Sequence, residues 1–520
     1  MVSPRRTYLA FYILLALSAL FRGFVAGFIE LGNDEVYYLT YARFPALSHF
    51  DHPPMVGLVI QFFTFNLAYD SEFFVRLAAV VFGTLSTGLM FLIGKQIRNP
   101  LTGLYAALLY TASFYGFILS GTFMLPDAPQ VFFWLVTLYL LLLSLPDREM
   151  VKKSRNFLLL AAVTAGLALL SKYHSVFLLT GVVAYVLFYQ RGWLKTREFY
   201  LFFLIVALIS APIFFWNIEN NFISFTFHES RISLTESGLR PQFFLTEIVG
   251  EFLYNNPVNM VILIAALVAV WFRRRFLLEK PCLRILLWTS IPLILVFQSF
   301  SLVRSTLPHW TGPGYLGLIF ISAAFLEERR GNSSKPGLIP WPLTAALALM
   351  LAISVTTIGQ IRYGWVPLKK WHAADPSLDM TGWEQLGTKF DLLAKYNEDH
   401  GLIGKNAPIV TFRWFPAANF DYYLGRRISK PVYALGTLER IHKYHWINRI
   451  NGNLRKGSDA WFISLSDDYE DPVALYGSLF MGIVPTDTLY ITRGRDTVRR
   501  AFVFRMTDLK EEMVFTGRID

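Results

Sequence analysis

The sequence predicts a polytopic all-α membrane domain followed by a smaller mixed α/β domain outside the membrane. Three observations carry this expectation. The chain of 520 residues is 54% hydrophobic and only 16% charged, where a soluble protein carries about a quarter charged residues. Its mean hydropathy is +0.42. Runs such as FLIVALISAPIFF and MVILIAALVAVWF are close to all-apolar, and about 20 such residues cross the hydrocarbon core as a helix.

Taken in order, the apolar runs predict about eleven spans, the first over 8–29 and the last over 339–359, so that residues 1–359 form the membrane domain. The first run has a basic start like a signal peptide, but it is long for one and the charges of the later loops require it to be kept. The net charge of +11 raises nucleic acid as a partner. Position argues against it, because the basic residues cluster in alternate short loops: KQIRN, DREMVKKSRN, RGWLKTRE, RRRFLLEK and EERRGNSSK. That asymmetry puts the N-terminus inside and the first loop and C-terminal domain outside the cytoplasm. The single cysteine, Cys282, allows no intrachain disulfide, so the outer domain is expected to hold together without one.

Residues 360–520 change character. APIVTF, KPVYAL, DAWFISL, TLYIT and RAFVFRM are strand candidates bounded by Gly, Pro or Asp. TGWEQLGTKFDLLAKYNEDHG has helical spacing, with Trp383, Leu386, Phe390 and Leu393 on one face. About 160 residues are enough for a core of their own.

Within the first outer loop, 30–72, Asn33 is expected to cap a helix starting at Asp34, with Val36, Leu39 and tyrosines 37, 38 and 41 on an interfacial face. Asp51 or His52 would cap a second helix entered through Pro53-Pro54. Two such helices on the outer surface would cover a cavity at the membrane interface.

Ionisable residues beside a membrane are costly and mark function by default. Asp34, Glu35, Asp51 and His52 lie in that first loop, Asp127 opens a helix in LPDAPQVFFW, and Lys172, Tyr173 and His174 follow each other in LLSKYHSVFLL. FHESRISLTESGLR adds Arg231, and FSLVRSTLPHW adds Arg304 and His309. Each has a bland alternative as a helix cap, a snorkelling lysine or a solvated loop. Their shared outer face is the stronger signal.

Two motif matches fail on context. Gly312, Gly314 and Gly317 satisfy G-x-G-x-x-G, but Pro313 interrupts it and no strand precedes it. Asn332-Ser333-Ser334 matches a glycosylation acceptor on the expected cytoplasmic side. No Walker-type loop is present, so energy for chemistry has to arrive in an activated substrate. A divalent cation stays open as a cofactor, since two carboxylates do not by themselves make a metal site.

The stretches DEVYYLTYARFPALSHFDHPPMVGLVI, LPDAPQVFFW, GLALLSKYHSVFLL and FSLVRSTLPHWTGPGYL resemble the bacterial protein-mannosyltransferase-like family, to which the aminoarabinose lipid A transferases are related. The resemblance covers most of residues 1–330, and GWEQLGTKF…FRWFPAANFDYYLG is similar to the family's outer domain. It implies a GT-C membrane glycosyltransferase of the bacterial inner membrane, moving a sugar with inversion from a polyprenyl-phosphate donor to a hydroxyl of a lipid, glycan or protein on the outer face. By the same resemblance Asp34 is the base, with Glu35 at the acceptor, and Asp51-His52 faces the donor. Lys172, Arg304, Arg231 and His52, in that order, are candidates for the donor phosphate, with Asp127, Tyr173 and His309 beside them. Aminoarabinose transferases have lysine where this chain has His52, which removes a permanent positive charge. Two other readings are a glycolipid transporter or flippase and a non-catalytic glycan-binding membrane protein. A transporter would more often place its charges near the midplane of broken helices with repeat symmetry, and neither pattern is visible here.

Overall fold

A computed structural model describes residues 3–232, 238–272, 277–331, 337–368 and 374–516. Arg273–Arg275 and the Asn332-Ser333-Ser334 sequon lie outside the described residues, as does the side chain of Arg231.

The helices in chain order are α1 (Pro4–Phe28), α2 (Asn33–Arg43), α3 (Met55–Phe63), α4 (Glu72–Ile97), α5 (Pro100–Ala112), α6 (Asp127–Ser144), α7 (Lys152–Ser171), α8 (Val176–Tyr189), α9 (Arg197–Glu219), α10 (Ile223–Ile232), α11 (Pro241–Tyr254), α12 (Pro257–Trp271), α13 (Lys280–Ser301), α14 (Gly312–Gly331) and α15 (Trp341–Tyr363). Among the described residues α1, α4, α6, α7, α9, α13 and α15 are long and apolar enough to cross a membrane. The pair α11 and α12 would add an eighth span if counted as one, but it is bent by 101°. Length and composition therefore support seven or eight spans, and the eleven expected from apolar runs are not confirmed. Several of those runs fold into helices shorter than a span, such as α5 and α8.

The chain forms two compact units, 1–26 with 46–354 and 27–45 with 355–520. The membrane unit buries a continuous core that includes Trp134, Trp193, Phe202, Leu286 and Phe320. It leaves Leu17, Leu204, Leu208 and Phe215 exposed on its outer faces, as helices solvated by lipid do, where an apolar surface costs nothing. Small residues let helices approach closely: a Cβ on Gly83 would stand 2.4 Å from the Cα of Gly121, and one on Gly94 would stand 2.7 Å from the Cα of Gly103.

The second unit holds a five-stranded sheet of order β2-β1-β3-β5-β4, built from β1 (Ile409–Thr411), β2 (Val432–Ala434), β3 (Ala460–Leu465), β4 (Phe480–Arg493) and β5 (Asp496–Leu509). β2, β1 and β3 are parallel, while β5 runs antiparallel to both β3 and β4. Each of the five strand candidates falls on one of these strands. The expected helix is present as α16 (Trp383–Asp399), and Trp383, Leu386 and Phe390 are fully buried. Here α2 packs inside the unit: Val36 to Ala42 are all buried, so α2 is a core element where an interfacial helix was expected.

Candidate functional site

The candidate residues fall in both units, and each group is built differently. In the membrane unit the chain stops its regular helix at two places that bring polar groups together. α7 ends at Lys172, whose extended backbone turns the chain through the short 3-10 turn Tyr173–Ser175 into α8. Between α5 and α6 the backbone widens into a π-helix at Tyr115–Leu119, a form that is rare and concentrated at functional sites.

Asp127 is the first residue of α6, after Pro126 at the cap position, and its side chain is spent on partners outside that helix. Its carboxylate accepts from Lys172 Nζ at 2.7 Å and from Tyr115 Oη at 2.9 Å. The side chains of the ion pair are 3% and 5% exposed. A pair this deep stabilises little relative to an apolar replacement, but breaking it by removing one partner is expensive. Ser175 Oγ, one turn from Lys172, accepts from Gln130 Nε2 at 3.1 Å and donates to Ala168 O at 2.8 Å, which ties α6 to the end of α7.

Imidazoles surround this pair. His309, in the 3-10 turn Pro308–Thr311, is half-buried near Lys172, Asp127 and His52. Burial first, then the Lys172 charge, pushes it down to about 4, so it is neutral at neutral pH. His174 packs edge-on against Phe297 with ring centroids 4.7 Å apart. Burial, followed by Lys172, holds it well below the ordinary histidine range. His52 Nδ1 lies 3.2 Å from Asp51 Oδ2, and His228 Nε2 lies 3.0 Å from the Asp51 carbonyl oxygen. Tyr173 stacks edge-on against His228 at 5.3 Å. Asp51 and His52 are not the caps expected: α3 starts after Pro54, without a side-chain cap, and the Asp51 carboxylate is turned to His52.

Asp51, His52, Asp127, Lys172, Tyr173 and His309 are thus gathered in one polar region of the membrane unit. Arg304 lies in the segment between α13 and the His309 turn, its N–H on the Phe300 carbonyl. Arg231 is placed only by its backbone near the end of α10. Sequence reasoning missed Tyr115 as the second partner of Asp127. The unwound FYGFILSG segment carries no local pattern that marks it.

In the other unit, Gly32 precedes α2 and the helix begins at Asn33. Asn33 is therefore not the cap: its side chain accepts from Asn419 Nδ2 at 2.8 Å. Glu35 performs the capping task by reaching back to the Gly32 N–H at 3.0 Å, and it is 1% exposed. Asp34 beside it is exposed. The Asn33 N–H donates to Asp379 Oδ1 at 2.9 Å, and the Trp383 N–H donates to Glu30 at 2.8 Å. Asp379 was not anticipated. Burial, with the Asp34 and Glu35 charges reinforcing it, pushes its carboxyl up to about 6. Around the C-terminal end of α2, Arg43 pairs with Asp421 at 2.7 Å. Lys443 Nζ caps the helix by donating to Thr40 O at 3.1 Å and Phe44 O at 2.6 Å. Among the described residues no group of three or more His, Cys, Asp or Glu is arranged to hold a metal ion.

Residues 51–216 match the family model described as dolichyl-phosphate-mannose-protein mannosyltransferase. The lipid A galacturonosyltransferase RgtD of Rhizobium johnstonii is 22% identical over 284 residues, 54% of this chain and 58% of its own length. The chain therefore spans a little over half of that relative. The crystal structure of ArnT from Cupriavidus metallidurans in the apo state is similar over 96% of this chain and 98% of its own, with TM-score 0.60 and 16% identity. The same protein bound to undecaprenyl phosphate gives TM-score 0.59 at 16% identity, over 95% and 97%. At this identity the likeness to ArnT is one of fold.

Proposed function

We propose, with a membrane glycosyltransferase of the GT-C class as the premise, that the chain transfers a sugar with inversion from a polyprenyl phosphate to a hydroxyl on the extracytoplasmic face. The observation that carries this reading is the buried Lys172–Asp127 pair with Tyr115 behind it and neutral imidazoles around it. An ammonium has three donors; Asp127 holds one and orients the other two for an anion. A bundle with this cation at a helix end suits the phosphate of a lipid-linked donor. The ArnT structure with undecaprenyl phosphate and the lipid A activity of RgtD support a lipid-linked donor and a lipid acceptor.

In the reaction an acceptor oxygen attacks the anomeric carbon as its proton passes to a carboxylate. The bond from that carbon to the phosphate oxygen breaks with its electron pair leaving on the phosphate. Asp34, whose side chain is exposed, is assigned the base, and Glu35, which caps the helix, is assigned to the acceptor side. A positioned base contributes typically about 10²–10⁴-fold. Lys172, with Arg304, Arg231 and His52 as further candidates, meets the charge that develops on the phosphate, an electrostatic role that needs no reorganisation. Tyr173 and His309 stand beside Lys172 as uncharged groups. The orientation that serves this chemistry has the N-terminus in the cytoplasm and residues 360–520 outside it.

The test uses purified protein with a radiolabelled polyprenyl-phosphate sugar and a membrane lipid extract. Label appearing in an acceptor lipid, and its loss in Asp34→Asn, is the expected result. Label that crosses the bilayer of a proteoliposome without being transferred would instead identify a transporter.

A further inference from the structure

Glu247 and Glu251 lie one turn apart on α11, both about 1% exposed. Residues at this spacing share a helix face and stand close together. Each uses one oxygen. Thr306 Oγ1 donates to Glu247 Oε2 at 2.6 Å, and Gln298 Nε2 donates to Glu251 Oε2 at 2.8 Å. The other oxygen of each, Oε1, is buried with no hydrogen-bond partner. The hydroxyls of Thr311 and Tyr315 lie beside Glu251, short of a formed hydrogen bond to that oxygen. Every partner is neutral, and among the described residues neither carboxylate has a cation against it.

Two buried carboxylates of one sign, with no counter-charge among the described residues, cannot both be ionised at an acceptable cost. The two orphan oxygens are acceptors as ions; a proton on either one turns it into a donor for its neighbour.

The same helix grips the segment that carries two candidate site residues. The Arg240 N–H donates to Leu302 O at 2.7 Å. A Cβ on Gly250 would stand 2.2 Å from Pro308 Cγ, so α11 presses directly on the turn. Tyr254 packs against His309 with centroids 6.0 Å apart. Thr306 and Thr311, which meet Glu247 and Glu251, bracket His309 in that segment. We propose that Glu247 and Glu251 share a single proton and that this proton holds the Leu302–Thr311 segment, with Arg304 and His309, against α11. The two are positioning residues, acting through that segment.

The titratable groups that face the pair or share its surroundings are Tyr254 on α11, Arg304 and His309 on the segment, and Tyr315 on α14; α13 contributes the neutral Gln298. His309 has already lost its charge by about pH 4, and tyrosines titrate above the neutral range. The pair, raised by burial, is then the group that changes charge as pH climbs through the neutral range. Its sign is set by burial. The folded pair keeps its proton to higher pH than exposed glutamates do, so the stability it contributes is present in acid and lost as pH rises.

The test is independent of sugar transfer. Full-length protein in detergent is melted from about pH 5 to 9 in EDTA, and hydrogen–deuterium exchange of residues 302–311 is followed over the same range, corrected for intrinsic exchange. For the wild type, Tm falls by a few degrees and exchange in the segment rises at least severalfold towards pH 9. Glu247→Gln supplies a permanent donor and flattens both profiles; Glu251→Gln is read in the same way if the first variant does not fold. Parallel profiles in wild type and variant, or a variant lowered equally at every pH, overturn the proposal. So does a stabilisation of the wild type at high pH that requires added Mg²⁺, which would assign the pair to a metal cation.

Discussion

The Asp127–Lys172 pair offers the sharpest quantitative test. At 2.7 Å and an effective dielectric of about 20, the gross attraction is about 6 kcal/mol, most of it offset by desolvating two charges. Lys172→Met removes the cation and leaves a carboxylate that is 3% exposed with, among the described residues, Tyr115 as its remaining donor. Breaking a buried pair from one side costs about 3–5 kcal/mol. Asp127→Leu strands the ammonium at a similar cost. The double variant Asp127→Leu, Lys172→Met strands neither, and its loss is expected to fall at least 2 kcal/mol below the sum of the singles. Denaturant or thermal unfolding of the purified proteins measures the cycle, with transfer from the lipid-linked donor assayed alongside. Stability recovered in the double variant without recovered transfer is the expected outcome. Additive single losses, or a Lys172→Met cost under about 1 kcal/mol, would refute the reasoning.

Other expectations follow from the same structure. Asp34→Asn is expected to abolish transfer while the protein still folds and expresses like the wild type; retained activity in that variant removes Asp34 as the base. Asp379, pushed up to about 6 first by burial and then by Asp34 and Glu35, favours the folded state while protonated, and that contribution is lost as pH rises through about 6. Asp379→Asn should therefore be the more stable protein above that pH, by on the order of 2 kcal/mol, and unfolding curves that keep the wild-type pH slope would count against it. Gly83→Ala puts a methyl 2.4 Å from the Gly121 Cα, a backbone clash expected to cost about 1–3 kcal/mol. An unchanged melting temperature would show that α4 can shift without penalty.

Local pattern reached a good part of this molecule. Apolar runs marked the long helices, short β-type runs bounded by turn residues marked all five strands, and helical spacing marked the amphipathic face of α16. It was weaker wherever a run folded into a helix too short to span, because composition measures apolarity and not where a helix ends. It also misjudged the caps. Asn33, Asp51 and Asp127 each had the residue type of an N-cap, yet each spends its side chain elsewhere, on Asn419, His52, and Lys172 with Tyr115.

The candidate residues themselves were legible one at a time, as ionisable groups beside greasy segments. Glu247 and Glu251, at helical spacing in FFLTEIVGEFLY, were not among them, because nothing in that stretch marks them as buried or reveals their partners, Thr306 and Gln298. By itself the sequence determined what lies within reach of a single helix or strand: which segments are apolar, which alternate, and which residue types can carry charge. Only the tertiary structure decided that residues 27–45 belong with 355–520, that Asn33 meets Asp379 across 346 residues and that Lys172 meets Asp127 across 45. Periodicity is a property of neighbours along the chain. Burial and pairing are properties of neighbours in space, and they turn an ordinary lysine or glutamate into one whose charge matters.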